Sequence, residues 1–307
     1  MLMGHFCRYA NRMTGSRLAC LAVLLALAGR IACAQPSAGR ALDFVITPAF
    51  VEAGSPELIR VAAPDAAAVE GEWLGHKLQF FRDRHKAWVA LAGVDVEQTA
   101  GDSHLKIHLT PASGQPVDID RVIDIQPASY RTAELTVSPK FVEPGPDELK
   151  VIQADSAIKA KVFATSAVEP LWSGNFRVPV LAPPTDSFGT RRTFNGKLAS
   201  IHKGMDFRAR TGTVVRAGNS GIVVLARSLY YEGNCVVIDH GLGLYTVSMH
   251  LLRIDVHEGR QVKTGDQLGL SGATGRVTGP HLHWAVRWQD TYLDPAKVLR
   301  LNLSAVR

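Results

Sequence analysis

The chain has 307 residues, typical of about two domains, and its 20% charged and 46% hydrophobic residues exclude a disordered, collagen-like or coiled-coil protein. The formal net charge is +6, but residues 1–34 hold four arginines and no acidic residue, which leaves 30 basic against 28 acidic residues in the remainder. A nearly balanced chain of this kind is not expected to bind nucleic acid.

The first predicted element is a secretory signal peptide over residues 1–34. Arginines precede the apolar run Leu18–Gly29, and Ala32-Cys33-Ala34 supplies an A-x-A cleavage site. This run of 12 residues is shorter than the ~20 that a membrane-spanning helix needs. We expect cleavage after Ala34, no transmembrane span in the mature protein, and a periplasmic or secreted location. Lipidation at Cys33 and anchoring through an uncleaved leader are the alternatives.

Cleavage after Ala34 removes three of the four cysteines and leaves Cys235. A single cysteine cannot form an internal disulfide, even in an oxidising compartment. Because Cys235 lies in an apolar, strand-like run, we expect a buried and inert thiol.

Residues 43–130 are predicted to form an N-terminal β-sandwich of immunoglobulin-like type. Short apolar runs alternate with turn signals, and period-two alternation is clear in Leu105–Leu109. About seven such strands are typical of a small sandwich. The candidate strands are Asp43–Thr47, Leu58–Ala63, Val69–Leu74, Leu78–Phe81, Trp88–Leu91, Leu105–Leu109 and Val117–Ile125.

Residues 131–175 are predicted to be a lead-in segment followed by a short helical linker, since apolar residues in 147–164 recur near helical spacing. From 176 to 301 the chain changes to apolar runs broken by glycines, which predicts an antiparallel β domain. The whole chain is therefore expected to be mainly β. The candidate strands of this second domain are Val214–Ala217, Ile222–Ala226, Val236–Asp239, Leu244–Met249, Gln267–Leu270 and His281–Trp288.

Two closely spaced pairs in the second domain have the residue types of a metal site. His202 and Asp206 are four residues apart, and Gly204 between them favours a loop that leads into a strand. His281 and His283 are two apart in a strand-like run, so both imidazoles lie on one face of that strand. A set of two imidazoles and one carboxylate leaves a fourth position open for water, as in catalytic zinc sites.

The residue types available in the chain favour zinc as the metal and a histidine as the general base. A structural zinc site would use more thiolates, and calcium would take more oxygen ligands. The chain has no H-E-x-x-H, because Gln261 stands where a second histidine would follow His257. The general base must then come from the spare histidines, which include His250 at the end of the predicted strand Tyr245–Met249.

The run from about Ser187 to Leu299 resembles the lysostaphin/LytM-type zinc peptidases, bacterial enzymes that cut peptidoglycan crosslinks. The matching pieces are Ser187-Phe-Gly189, Arg192-Thr-Phe-Asn195, His202-Lys-Gly-Met-Asp-Phe207, Gly212–Ala217, Asp239-His-Gly241, Met249-His-Leu251, Gly269–Gly275 and Thr278-Gly-Pro-His-Leu-His-Trp284. The resemblance implies that zinc is held by His202, Asp206 and His283. It also implies that His281 is the general base and that His250 orients water or stabilises the developing oxyanion.

Other side chains near these motifs are weaker candidates. Asn195 is expected either to hydrogen-bond substrate or to cap a turn. Tyr231 could reach the oxyanion from a loop or be a simple surface aromatic residue. Four arginines are expected either to attract the carboxylates of stem peptides or to form a solvated basic face, namely Arg191, Arg192, Arg208 and Arg210.

The resemblance implies a zinc endopeptidase whose partner is the peptidoglycan stem peptide and whose cut is D-alanyl to diaminopimelate. A carboxypeptidase cut on the same stem is the nearest variant. Two other classes compete with this interpretation: a non-catalytic regulator of cell-wall amidases and a zinc peptidase that acts on ordinary proteins. The presence of all five expected site residues argues against the regulator.

Overall fold

Eight strands build two antiparallel sheets in the first half of the computed structural model, which describes residues 43–306. The predicted signal peptide lies outside the described residues. The strands pair in the orders β1-β2-β6-β5 and β4-β3-β7-β8. Their bounds are β1 (Asp43–Thr47), β2 (Pro56–Ala62), β3 (Ala66–Trp73), β4 (His76–Gln79), β5 (Phe81–Arg82), β6 (Trp88–Gly93), β7 (Gly101–Pro111) and β8 (Val117–Ile125).

Alternation along the strands explains how these two sheets share a core. In β7, Leu105, Ile107 and Leu109 are buried, and they join one hydrophobic cluster with Ile59 of β2 and Val89 of β6. The side chains between them face outward, as period-two geometry requires. The prediction of a mainly β chain is confirmed. The immunoglobulin-like type stays a prediction, which the strand order supports.

A short strand and a long helix connect the two halves. The strand β9 (Thr132–Leu135) is followed by a 3-10 helix (Pro139–Phe141) and by α1 (Pro146–Phe163), close to the predicted 147–164. Pro146 occupies the first helical turn, where its missing N–H costs nothing, and acidic residues follow it in that turn. The linker is therefore helical where the spacing of apolar residues placed it.

The second half is dominated by one antiparallel sheet of ten strands, ordered β10-β13-β20-β17-β16-β15-β18 with three strands off this path. A separate sheet of order β12-β11-β9 stands beside it. The bounds are β10 (Pro184–Asp186), β11 (Arg191–Phe194), β12 (Leu198–Ile201), β13 (Met205–Phe207), β14 (Val214–Arg216), β15 (Gly221–Leu229), β16 (Gly233–Asp239), β17 (Leu244–Ile254), β18 (Gln261–Val262), β19 (Gln267–Ser271), β20 (Leu282–Trp288), β21 (Thr291–Leu293), α2 (Pro295–Val298) and a last 3-10 helix (Leu303–Ala305).

The two halves meet through close packing. A Cβ on Gly93 of β6 would lie 2.5 Å from Leu293 and 3.2 Å from Trp288, so a side chain at this position would displace Leu293. Phe81 meets Trp172 edge to face at 5.9 Å. Buried residues of both halves belong to one cluster, and the division at 130 and 176 stays a prediction. Among residues 43–306, no helix is long and apolar enough to cross a membrane.

Candidate metal centre and cleft

The four histidines and the one aspartate predicted for the site all line one cleft in the second half of the chain. At its floor, His202 Nε2 lies 3.0 Å from Asp206 Oδ1 and 2.9 Å from His283 Nδ1. His283 Nδ1 lies 2.9 Å from the same carboxylate oxygen. Two nitrogens and one oxygen thus converge on one point, as donors around a single cation do.

Local structure delivers these donors as the sequence predicted. His202 follows β12, Asp206 lies in β13, and His283 stands opposite Asp206 in the antiparallel pairing of β13 with β20. Gly204 is essential to this arrangement, since a Cβ there would lie 2.4 Å from His283 Nε2 and 2.8 Å from the carbonyl oxygen of Trp284. The loop between the first two donors passes directly over the third.

Hydrogen bonds at the outer atoms of the cluster leave the inner atoms available. The Nδ1–H of His202 donates to the carbonyl oxygen of Ser187 at 2.9 Å, so its Nε2 keeps a lone pair that points into the cluster. Arg192 Nη2 donates to Asp206 Oδ2 at 2.6 Å, so Oδ1 is the oxygen that faces the two imidazole nitrogens. The donor set therefore fits a divalent metal ion.

Protonation states also fit a cation. Burial opposes ionisation of Asp206, but the adjacent imidazoles of His202 and His283 hold its pKa well below its usual range. Burial lowers the pKa of His283 to about 4, against the opposing effect of Asp206. An ionised carboxylate and a neutral imidazole are the forms that bind metal.

His281 sits beside the cluster without joining it. Its Nε2 is 3.7 Å from Asp206 Oδ1, and its Nδ1–H donates to the carbonyl oxygen of Gly279 at 2.8 Å. His281 forms an isolated β-bridge with Gly272 just before β20 begins, and His283 lies two residues further along the chain. The two imidazoles therefore lie on the same face of the strand, and both line the cleft. The sequence prediction of one shared face agrees with this placement.

His250 reaches the cleft through an irregularity that the sequence did not indicate. The strand does not end at Met249, as predicted, but continues as β17 to Ile254. At His250 the backbone has φ +63, and β17 changes its partner there from β20 to β19. This switch turns the imidazole toward His281, with ring centroids 4.9 Å apart.

The neighbours of His250 define its chemical form. Its Nδ1–H donates to the carbonyl oxygen of Thr274 at 2.8 Å. Burial, followed by the imidazoles of His283 and His281, lowers the pKa of His250 to about 3. The ring is therefore neutral and presents an accepting Nε2.

Sequence reasoning missed an ion-pair network behind the metal cluster. Arg192 was predicted either to attract substrate carboxylates or to belong to a solvated basic face. It instead bonds Asp206 and also Asp186, whose Oδ2 lies 2.6 Å from Nη2 and 3.0 Å from Nε. Asp186 accepts further hydrogen bonds from Thr190 and Arg131. The network fixes the orientation of the Asp206 carboxylate, and the only signal for it was the proximity of Arg192 to the first ligands.

The other three arginines that the sequence analysis singled out do not join this ion-pair network. Arg208 is exposed and lines the cleft, whereas Arg191 lies on a separate groove beside β9. Arg210 is also exposed, and its carbonyl oxygen accepts a hydrogen bond from Ser271. The structure thus brings only two of the four, Arg192 and Arg208, to the cleft.

One wall of the cleft comes from the segment before α1. Leu135 and Val137 line the cleft, and β9 pairs in parallel with β11. Asn195 does not line the cleft; its carboxamide accepts from the N–H of Val137 at 2.9 Å and donates to its carbonyl oxygen at 3.0 Å. This places Asn195 in the structural role of holding Val137, and a contact with substrate stays a prediction. Tyr231 does line the cleft.

Two conspicuous residues lie away from the cleft. His240 is fully buried, with Nδ1 2.7 Å from the carbonyl oxygen of Ser220 and Nε2 2.9 Å from Thr246 Oγ1, so both of its ring nitrogens are used in structural contacts. Cys235 is a buried free thiol, also as predicted, and burial raises its pKa. Neither residue contributes to the site.

Two histidines and one aspartate therefore cluster at the floor of a cleft that two further imidazoles also line. Residues 200–295 match the sequence model of peptidase family M23, and the chain therefore carries a domain of this family.

Relatives and solved structures agree with this membership. The chain is 40% identical over 126 residues to peptidoglycan DD-endopeptidase ShyA of Vibrio cholerae, which covers 40% of this chain and 27% of that protein. It is 38% identical over 98 residues to DD-carboxypeptidase/endopeptidase Mpg of Neisseria meningitidis, which covers 32% of this chain and 23% of that protein. A Pseudomonas aeruginosa crystal structure assigned to peptidase M23 has a TM-score of 0.62 and 26% identity, covering 81% of this chain and 94% of that one. The chain thus spans about a quarter of the length of these two curated relatives.

Proposed function

We propose that this protein is a zinc-dependent endopeptidase that hydrolyses the peptide crosslinks of peptidoglycan. The bond it cleaves is the amide between D-alanine and diaminopimelate. The observation that carries the proposal is the convergence of His202 Nε2, Asp206 Oδ1 and His283 Nδ1 within 2.9–3.0 Å of one another, beside His281. The name of the Vibrio cholerae relative, a peptidoglycan DD-endopeptidase, supports a substrate in the bacterial cell wall.

His202, Asp206 and His283 would hold the zinc ion. Bound zinc lowers the pKa of a water and polarises the scissile carbonyl. His281 supplies the base: its Nδ1–H is held by Gly279, so Nε2 carries the lone pair that takes a proton from the attacking water. The same nitrogen then returns the proton to the leaving amine. The amide is thereby hydrolysed to a carboxylic acid and an amine, which ionise to a carboxylate and an ammonium group.

His250 acts on the water more readily than on the oxyanion. With Nδ1–H donated to Thr274, its neutral ring offers only a lone pair at Nε2. Such an atom accepts a hydrogen bond from water but donates none to a developing negative oxygen. We therefore assign His250 to the orientation of the attacking water.

The cleft and the predicted leader together support action outside the cytoplasm. The leader predicted for residues 1–34 would direct the chain across the membrane, where a periplasmic protein meets murein directly. A lipid at Cys33 would retain the protein at a membrane, and intact-mass measurement of the mature N-terminus distinguishes the two outcomes. A protein that begins at Gln35 supports the proposal.

The purified protein, reconstituted with one equivalent of zinc, tests the activity. Crosslinked muropeptide dimers, pentapeptide monomers and casein are incubated separately, and products are separated by liquid chromatography and mass spectrometry. Cleavage of the dimer into tetrapeptide monomers is expected, with casein intact. Release of D-alanine from monomers alone would replace the endopeptidase with a carboxypeptidase, whereas cleavage of casein alone or of nothing would contradict the proposal.

A further inference from the structure

Arg276 is a cation fixed between two aromatic rings on the wall of the cleft. Its guanidinium carbon lies 4.6 Å from the ring centroid of Phe194 and 4.7 Å from that of Tyr231. All three residues line the cleft that holds the metal cluster. The backbone N–H of Arg276 also donates to the carbonyl oxygen of Tyr231 at 2.8 Å. We refer to Phe194 and Tyr231, the two rings beside the guanidinium, as the aromatic clamp.

The clamp is itself supported from behind. Phe194 is buried and shares a small hydrophobic cluster with Val137 and Phe141. Phe141 packs against Tyr231 with ring centroids 6.3 Å apart. Because its aromatic partners are held by packing, the guanidinium is positioned before any ligand arrives, which reduces the entropic cost of binding.

Arg276 differs from the other half-buried arginine of the cleft in its electrostatic partners. Arg192 is bound by the carboxylates of Asp186 and Asp206. Within residues 43–306, by contrast, no carboxylate forms an ion pair with Arg276. Burial lowers the pKa of Arg276, and the nearby side chains of Tyr231 and Glu232 oppose this shift. The rings cover the faces of the guanidinium, so its N–H groups at the edge are the part that can bind an anion.

We propose that Arg276 binds a carboxylate of the substrate peptide, namely the free carboxylate that diaminopimelate carries on the same carbon as the scissile amide nitrogen. This inference rests on the proposed function and names the group that selects the substrate. A planar guanidinium matches a carboxylate with two parallel hydrogen bonds, which a lysine cannot reproduce. Arg276 is thus a specificity-determining residue for crosslinks that hold an unmodified diaminopimelate.

Arg287 offers a matched control. Its guanidinium carbon lies 4.4 Å from the ring centroid of Phe163 and 5.2 Å from that of Tyr292, so it has a similar aromatic clamp. Arg287 does not line the cleft, and its Nε donates to the carbonyl oxygen of Gln289. Loss of this guanidinium removes a clamped cation without removing a group from the cleft.

The test compares three crosslinked dimers: one with free carboxylates, one amidated at diaminopimelate, and one amidated at the neighbouring D-glutamate. The parent protein should cleave the first and third equally, and the second with kcat/KM about 10- to 100-fold lower, because a charge-assisted hydrogen bond contributes about 1.5–3 kcal/mol. Arg276→Gln should lose this preference through a raised KM on the free dimer. Arg276→Lys should retain part of it, and Arg287→Gln should behave as the parent does.

Each alternative result has a defined meaning. Equal cleavage of all dimers by the parent overturns the inference while the endopeptidase assignment stands. Sensitivity to amidation of D-glutamate instead would place a different carboxylate at Arg276 and overturn it too. A uniform loss across substrates in Arg276→Gln, with Arg276→Lys equally impaired and zinc content unchanged, would make Arg276 merely structural. If the parent cleaves none of the dimers, the proposed function fails first.

Discussion

A Cβ on Gly204 would lie 2.4 Å from Nε2 of His283. The loop that carries His202 and Asp206 therefore crosses the third donor at a distance that any side chain would prevent. This single contact links a glycine in the H-x-x-x-D motif to the geometry of the whole metal cluster.

Gly204→Ala should consequently weaken the site without unfolding the chain. Overpacking of this kind costs about 1–3 kcal/mol, so zinc affinity should fall about 10- to 100-fold. Competition with a chromophoric chelator measures the affinity, and circular dichroism checks the fold. Gly279→Ala is the control, because a Cβ there meets nothing within 4 Å. Equal affinities for the Gly204 variant and the parent would show that the loop relaxes freely.

His283 and His281 share a strand face, but their replacement should affect zinc content and turnover differently. His283→Ala removes a proposed ligand, so zinc and muropeptide cleavage should disappear together. His281→Ala should retain most of its zinc and lose turnover by about 10²–10⁴-fold, the contribution expected of a positioned general base. His250→Ala should resemble His281→Ala. Zinc is measured by mass spectrometry on folded variants; complete zinc loss in His281→Ala would mean that the two roles are exchanged.

Arg192 should act on the metal through Asp206. Its hydrogen bond to Oδ2 orients the carboxylate, and loss of such an outer partner typically lowers metal affinity about 10- to 100-fold. Arg192→Gln should show this reduction in the chelator competition. Arg191→Gln is the matched control on the adjacent, exposed position of β11. An Arg192 variant that binds zinc as tightly as the control would rule out this positioning role.

Glu57 should make stability depend on pH. Burial raises its pKa to about 8, Ser55 donates to Oε1 at 2.6 Å, and Oε2 has no hydrogen-bond partner within residues 43–306. The folded state then holds a proton that the unfolded chain releases near 4.5. The free energy of unfolding should accordingly fall as pH rises from about 4.5 toward 8, by up to about 1.4 kcal/mol per pH unit.

Glu57→Gln removes this titrating group, so its stability should decline less than that of the parent between pH 5 and 8. Denaturant unfolding at several pH values measures the difference, with Glu70→Gln on the exposed side of β3 as the control. Parallel pH profiles for the Glu57 variant and the parent would show that the buried carboxyl does not titrate in this range.

Local patterns predicted the parts of the molecule that depend on short-range geometry. The alternation of His281 and His283, the loop at Gly204 and the helix α1 all follow from spacing within a few residues. The turn at His250 does not, because a positive φ in a non-glycine residue is imposed by the change of strand partner in β17. The network at Arg192 was equally inaccessible, since it joins three segments whose proximity only the folded sheet creates.

The pairing of β9 with β11 has a practical consequence for protein engineering. One side of the cleft is supplied by residues near 135, which precede the matched family region at 200–295 by some sixty positions. A recombinant fragment trimmed to that region would therefore lack this side of the cleft, and it would also lack Arg192 and Phe194. Exchange of the residues before position 200 between relatives would in turn replace one wall of the cleft, although Arg276 and every proposed metal ligand stay in place.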